Sequence, residues 1–149
     1  MTVRIDPVEP VHAQILEALH GRCFPTDWSA KAFHDLLTTP GTFGFLAVEA
    51  DLPVGYIVLR CAADEAEILI VGTDPSKRRG GIASRLLDAG IAEAAEKKAA
   101  TLFLEVAEDN PGAVEFYLQK GFEEVGRRPK YYERPNGSRV DARLFKKAL

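Results

Sequence analysis

The sequence predicts an α/β protein in which helices flank one central sheet, on three observations. Strand-like apolar patterns occupy seven segments and helical periodicity four, in the order strand, two helices, three strands, helix, strand, helix, two strands. The runs Phe43 to Glu49 and Val54 to Cys61 are joined by only Ala50-Asp51-Leu52-Pro53, a connection of hairpin length, so they pair antiparallel. A glycine-rich turn, Arg78-Arg79-Gly80-Gly81-Ile82-Ala83, stands between an apolar strand and an amphipathic helix. At 149 residues, 46% hydrophobic and 28% charged, the chain forms one domain over 1–149 with a real core.

Taken in order, Thr2 to Asp6 alternates as a short strand, and Val8 to Leu19 sets Val8, Val11, Ile15, Leu16 and Leu19 at helical spacing. Ser29 caps a helix over Ala30 to Leu37, with Ala32, Phe33, Leu36 and Leu37 on one face, and Pro40-Gly41 stops it. Beyond the hairpin, Ala66 to Thr73 is rich in Ile and Val, with Gly72 marking a bulge near its end. From Ile82, the residues Ala83, Leu86, Leu87, Gly90, Ile91, Ala94 and Ala95 form a stripe that covers a sheet face. Thr101 to Val106 alternates strictly, Leu102, Leu104 and Val106 on one face and Thr101, Phe103 and Glu105 on the other. Asn110-Pro111 starts a helix, because asparagine caps the free N–H groups and proline at the first helical position loses nothing; Gly121 ends it. Glu123 to Val125 and Arg139 to Phe145 are the last strands, linked by a tyrosine-rich segment and the turn Pro135-Asn136-Gly137.

Charge and cysteine usage narrow the function. A formal net charge of −3 gives no bulk reason to bind nucleic acid or an anionic membrane. Lys77-Arg78-Arg79 is too short a basic run, with no basic face around it, to reverse that reading. The segment Met1 to Pro7 lacks the apolar core of a signal peptide and no stretch approaches ~18 apolar residues, so a cytosolic protein is expected. Cys23 and Cys61 have neither metal-ligand spacing nor a histidine cluster, which predicts free thiols and no metal. His12, His20 and His34 fall in helix-like segments and read as surface or boundary histidines.

The glycine-rich turn carries the chemistry. Glycine removes the Cβ and a helix N-terminus leaves unsatisfied donors with partial positive charge, so backbone N–H groups converge on an anion; Arg78 and Arg79 add full charges. The chain has neither the Gly-Lys-Ser/Thr ending of a P-loop nor a GxGxxG turn after its first strand. With Glu105, Asn110 and Tyr117 downstream, the stretch from Glu67 to Phe122 resembles the GCN5-related N-acetyltransferase (GNAT) superfamily. That superfamily's acyl-CoA signature is Gln or Arg, two variable residues, Gly, one variable residue, then Gly or Ala, matched by Arg78 to Ala83. Similarity is closer to the RimI-like branch, the ribosomal-protein-alanine N-acetyltransferases. It is carried by Cys23-Phe24-Pro25-Thr26-Asp27-Trp28-Ser29 before Phe33, the acyl-CoA turn, Leu104-Glu105-Val106 through Asn110 to Tyr117, and Gly126-Arg127-Arg128-Pro129-Lys130-Tyr131-Tyr132.

The resemblance implies the GNAT acyl-CoA N-acyltransferase fold, a mostly antiparallel seven-stranded sheet splayed between strands four and five, with acetyl-CoA entering the split. It implies Glu105 as general base, Tyr117 as general acid, and acyl-CoA contacts from Val71, Gly72, Thr73, Arg78, Arg79, Gly80, Gly81, Ile82, Ala83, Ser84 and Asn110. Trp28, Tyr131 and Tyr132 would frame the peptide entrance, and the acceptor would be a protein N-terminal α-amine, the alanine of small-subunit ribosomal protein eighteen. Two positions depart from the pattern: Asp27 where proline is frequent, and Ala107 where arginine is frequent.

These residue types suit that chemistry. An α-amine with a pKa of about 8 is mostly protonated at neutral pH, so a base must take its proton before it attacks a thioester. Glu105 can do so directly or through water, and a phenol at Tyr117 can protonate or hydrogen-bond the departing sulfur. Backbone N–H groups near Val71, Gly72 and Thr73 would serve the oxyanion. No cysteine has an activating partner nearby in sequence, so direct transfer is expected. Each residue also has a plain structural role open to it: Glu105 as a solvent-facing strand residue, Tyr117 packed with Val114 and Leu118, Asn110 as a cap, the three aromatics as core. Between Arg127 and Lys147, eight Lys or Arg face two acids, a patch for phosphate or merely solvated. Rival functions are transfer to a lysine or small amine, and acyl-CoA binding without catalysis.

Overall fold

The computed structural model describes residues 2–24, 28–78 and 80–149. Strand β1 (Val3–Pro7) leads through a 3₁₀ turn (Pro10–His12) into helices α1 (Ala13–Cys23) and α2 (Ala30–Thr38). Strands β2 (Thr42–Glu49), β3 (Leu52–Ala62) and β4 (Glu65–Thr73) follow, then a 3₁₀ turn (Pro75–Lys77) and α3 (Ile82–Glu96). Strand β5 (Thr101–Ala107), α4 (Pro111–Gln119), β6 (Glu123–Glu133) and β7 (Arg139–Ala148) complete the chain. The strands form one seven-stranded sheet in the order β1-β2-β3-β4-β5-β7-β6. Every neighbouring pair is antiparallel except β4 and β5.

That parallel pair positions the site. It is joined only at Glu65↔Thr101, Ala66↔Leu102 and Glu67↔Phe103, after which the two strands part. Each stays braced on its far side, β4 on β3 as far as Thr73↔Gly55 and β5 on β7 as far as Ala107↔Ala142. The sheet therefore splits without fraying, as the sequence resemblance implies.

Two cores cover the two faces. On β3, Ile57 and Leu59 pack with Leu86 and Leu87 of α3, with Leu102 and Leu104 of β5, and with Tyr117 of α4. Tyr56 and Val58, pointing the other way, pack with Leu16 and Leu19 of α1 and Phe33 and Leu37 of α2. This explains the continuous apolar run of β3: alternation fails where both faces are buried. Each fully buried Leu contributes roughly 1.5–3 kcal/mol of transfer free energy, so the sheet is held from both sides.

Ser29 caps α2 as expected, its Oγ accepting from the Ala32 N–H at 3.0 Å. The first helix starts later than its spacing suggests. Glu9 and His12 close a tight turn, with the Glu9 N–H donating to His12 Nδ1 at 2.9 Å and the His12 N–H to the Glu9 carbonyl at 2.9 Å. Val11 is left 80% exposed, and the buried face of α1 is Ala13, Leu16, Leu19 and His20. His20 is no surface histidine: it is 4% exposed, with Nδ1 2.6 Å from the Tyr56 hydroxyl. The expected bulge at Gly72 is also displaced. Gly72 pairs regularly with Tyr56, and the register slips between Val58↔Ile70 and Leu59↔Ile68, which leaves Leu69 as the extra residue. Glycine at 72 serves close approach instead, since a Cβ there would lie 2.9 Å from the Tyr56 ring and 3.1 Å from the Phe24 ring.

Strand β6 is much longer than Glu123 to Val125, because the tyrosine-rich segment belongs to it. Its alternation is hidden by a bulge: Arg128 pairs with Ala142 and Tyr132 with Val140, so three residues of β6 stand against Asp141 alone. Lys130 sits within it at φ 52°, its N–H donating to Asp141 Oδ1 at 2.9 Å.

Candidate functional site at the sheet split

Beyond Glu67, the β4 backbone faces the split with no strand partner on that side, and this stretch includes Val71, Gly72 and Thr73. A splayed parallel pair thereby exposes N–H groups along a narrow cleft without any side chain being assigned to the task.

Where β4 ends, the chain turns into α3 through Gly80 and Gly81. Gly81 occupies the helix N-cap at φ 82°, a left-handed conformation that an L side chain resists, and no side chain caps the helix. Among the described residues, a Cβ on Gly81 would meet nothing within 4 Å, so they leave the space above the turn open. The first helical hydrogen bond runs from the Arg85 N–H to the Gly81 carbonyl at 3.0 Å, which leaves the N–H groups of Ile82, Ala83 and Ser84 directed out of the helix start. Positive charge gathers there. Arg78 is exposed and makes no ion pair among the described residues, whereas Lys77 is held by Glu49 at 2.7 Å. Lys120, from the end of α4, brings its ammonium to Ser84 Oγ. Arg79 lies outside the described residues, as do Pro25, Thr26 and Asp27. An uncapped helix start with an open glycine turn and nearby cations fits the pyrophosphate of a CoA thioester.

Across the split, Glu105 lies two residues beyond the last β4–β5 rung. Leu104 and Val106 join the core beneath α3 and α4, so Glu105 projects from the opposite face, the one that carries α1 and α2. Its Oε1 lies 2.8 Å from Arg128 Nε of β6. The register explains the reach: Arg128 is opposite Ala142, which is opposite Ala107, and Glu105 stands two residues from Ala107 on the same face. Two alanines in a row leave a lane that the arginine spans.

Tyr117 lies on the other side of the sheet. Its ring is buried against Phe116 and Phe122, at centroid distances of 5.1 and 5.4 Å, and burial pushes its phenol up to about 12. The hydroxyl makes no hydrogen bond among the described residues, and the only sealed side-chain oxygen without a partner among them is Thr42 Oγ1. The phenol is thus unspent. Asn110, by contrast, is engaged as a cap, its Oδ1 accepting from the Ala113 N–H at 3.2 Å.

Trp28 and the tyrosine pair stand in different surroundings. Trp28 is exposed, its ring tilted against Phe33 at 5.2 Å in a cluster with His20, Phe24 and Tyr56, which abuts Gly72 from the α1 side. Tyr131 is 49% exposed and meets Tyr132 edge-on at 5.1 Å. Burial, followed by the charge of Glu105, raises the Tyr132 phenol, which sets that tyrosine beside the carboxylate. Carboxylates pair with most of the eight cations between Arg127 and Lys147, among them Glu108 with Arg127 at 2.8 Å, Asp109 with Arg134 at 2.7 Å, and Glu124 with Arg143 at 2.8 Å. Glu108, Asp109 and Glu124 lie outside the 127–147 window, so a count within it shows none of these pairs. Both cysteines are raised by burial, so neither is poised as a thiolate nucleophile.

Arg128 and Lys120 were not found by sequence reasoning. The Arg-Arg pair at 127–128 stood in plain view, but only the β5–β7–β6 register reveals which of them meets Glu105.

Comparison with known proteins agrees with this geometry. The sequence model described as the acetyltransferase (GNAT) family matches residues 13–122. A [ribosomal protein bS18]-alanine N-acetyltransferase from Haemophilus ducreyi is 33% identical over 94 residues, 63% of this chain and 65% of that protein, just under two thirds of its length. A probable N-acetyltransferase from Drosophila melanogaster, san, is 30% identical over 99% of this chain and 82% of its own. Among solved structures, the ribosomal-protein-S18-alanine N-acetyltransferase from Escherichia coli superposes with a TM-score of 0.92 at 26% identity, covering 99% of this chain and 94% of that one.

Proposed function

Because the chain belongs to the acetyltransferase (GNAT) family, we propose that it moves the acetyl group of acetyl-CoA onto a protein N-terminal α-amine, the alanine of ribosomal protein bS18. The observation that carries the acetyl-transfer half is the split between β4 and β5, with an uncapped helix start on one bank and a carboxylate on the other. The acceptor half is supported by the relatives from Haemophilus ducreyi and Escherichia coli, whose names give that activity.

In this reading Gly80 to Ser84, with Arg78 and Arg79, hold the pyrophosphate through backbone donors and charge. The pantetheine arm enters the split along Val71, Gly72 and Thr73, where the N–H groups of Val71 and Thr73, on the side of β4 away from β3, polarise the thioester carbonyl. The acceptor arrives from the α1–α2 side, framed by Trp28, Tyr131 and Tyr132. Its ammonium gives a proton to Glu105, directly or through water, and the freed lone pair attacks the carbonyl carbon. A C–N bond forms and the C–S bond breaks with its electron pair on sulfur; the second proton of the attacking nitrogen ends on that sulfur, to which the Tyr117 hydroxyl donates a hydrogen bond. A phenol at about 12 is a weaker acid than a thiol at about 8.5. Tyr117 therefore serves the thiolate as a hydrogen-bond donor more than as a net proton source. Thiols raised by burial at Cys23 and Cys61 support direct transfer, without an acyl-enzyme.

The test is mass spectrometry of a peptide carrying the mature N-terminus of the cognate bS18, incubated with acetyl-CoA beside an N-terminally blocked copy that contains lysine. Acetylation of the free N-terminus alone is expected. Comparable labelling of the blocked copy would move the acceptor to a lysine side chain, and no labelling of either would remove the N-terminal assignment.

A further inference from the structure

The ion pair between Arg128 and Glu105 raises a question that the catalytic reading leaves open: a carboxylate meant for an incoming amine already has a cation on it. The pair is partly solvated, the side chains being 56% and 28% exposed, with Nε of the guanidinium 2.8 Å from Oε1. A solvated pair of this kind is weak, so a second cation can exchange with it at small cost. The guanidinium already has a second partner that can keep it when Glu105 is given up. Its carbon lies 5.6 Å from the Tyr131 ring centroid, and Arg128 belongs to β6, the outermost strand of the sheet. The bulge that carries both residues is pinned from beneath, with Arg139 Nε donating to the Lys130 carbonyl at 2.8 Å and Asp141 receiving the Lys130 N–H at 2.9 Å. A side chain can therefore swing while its backbone stays put.

We propose that Arg128 is a placeholder cation: it occupies Glu105 while the acceptor site is empty and yields that carboxylate to the acceptor's ammonium, retreating onto Tyr131. This deepens the proposed reaction and rests on Glu105 receiving the amine. The exchange conserves charge, one cation leaving as another enters, so Glu105 is not left bare as the peptide covers it and excludes water. It also sets the order of events at the carboxylate, because a neutral amine cannot displace a guanidinium and the ammonium form is the one that competes. Arg128 is a positioning residue in this scheme, acting through Glu105 and touching no reacting atom.

The placeholder makes a prediction opposite to that of a binding or supporting residue: removing it helps the acceptor in. Steady-state kinetics of wild type, Arg128→Gln and Arg128→Lys would be measured with an alanine-initiated peptide carrying no other charge, at saturating acetyl-CoA. Arg128→Gln should lower the peptide KM about two- to fivefold, the range an exposed ion pair is worth, with kcat nearly unchanged and Arg128→Lys close to wild type. A raised KM in Arg128→Gln would make Arg128 a contact for the acceptor, and a fall in kcat at constant KM would make it a support for Glu105; either overturns the proposal, as does an unchanged KM. Should wild type fail to acetylate the peptide, the functional reading fails and the placeholder with it, an outcome separable from all the others by the wild-type arm alone.

Discussion

Two helices begin at the banks of the split, and they begin differently. Helix α4 closes its own start: Asn110 accepts from the Ala113 N–H, and Pro111 at the first helical position has no N–H to satisfy. Helix α3 starts from a left-handed Gly81 with no side-chain cap, with space above it that no described residue fills, near the ammonium of Lys120 and an Arg78 that has no ion pair among the described residues. A cap is worth about 1 kcal/mol, and α3 forgoes it where α2 and α4 do not. The difference teaches that an uncapped start held by a rigid sheet suits an anion, because its donors are fixed in place and unspent.

The comparison can be sharpened first from across the split. If cofactor binding belongs to α3 and chemistry to β5, Glu105→Gln should lower acetyl transfer by about 10²–10⁴-fold, the usual scale of a lost general base. Acetyl-CoA affinity, read by calorimetry, should stay within about twofold, since a carboxamide keeps the shape at Glu105. Breaking the open start is the next largest effect. Gly81→Val forces a branched side chain into φ 82° and fills the space above the turn; loss of two charge-assisted hydrogen bonds puts the fall in acetyl-CoA affinity at about a hundredfold. The same calorimetric titration on Asn110→Ala should show affinity within about threefold of wild type, while thermal melts record a loss of about 1 kcal/mol of stability.

The smallest effect concerns Tyr117. Its folded-state phenol, at about 12, lies above the ~10 of an unfolded tyrosine. The raised value means that the stability from burying a neutral phenol is complete below pH ~10 and disappears as pH climbs through about 12. The gap between the thermal melts of wild type and Tyr117→Phe should therefore stay constant from pH 7 to 9 and shift against wild type between those limits. A gap that changes near neutrality would show that the phenol is not buried as described.

Local chemistry was legible in the sequence, and long-range register was not. Ser29, Asn110-Pro111 and the Gly80-Gly81 turn announce themselves because a cap or a glycine turn is decided by neighbours within a few residues. The alternation of Thr101 to Val106 likewise put Glu105 on the correct face. What failed depended on distant partners. His20 looks like a surface residue until Tyr56, 36 residues on, supplies its hydrogen bond and the aromatic cluster closes over it. Gly72 suggested a bulge because a glycine in a strand usually means one, yet the space it vacates is taken by Tyr56 and Phe24. Pro129 and the left-handed Lys130 hid most of β6, since a two-residue excess breaks the alternation by which strands are read. The neighbourhood of the proposed base suffered most. Nothing local links Arg128 to Glu105; the contact exists because β7 inserts between their strands and offers Ala142 as the stepping place.

The central claim, that the open start of α3 receives the phosphates of acetyl-CoA, is most directly tested by ¹H–¹⁵N NMR during titration with CoA and, separately, with pantetheine, which lacks the pyrophosphate. The account predicts that the amides of Ile82, Ala83 and Ser84 shift with CoA and stay fixed with pantetheine, while the capped amide of Ala113 responds to neither. Amides of α3 that hold still through saturation with CoA, while others move, would contradict it.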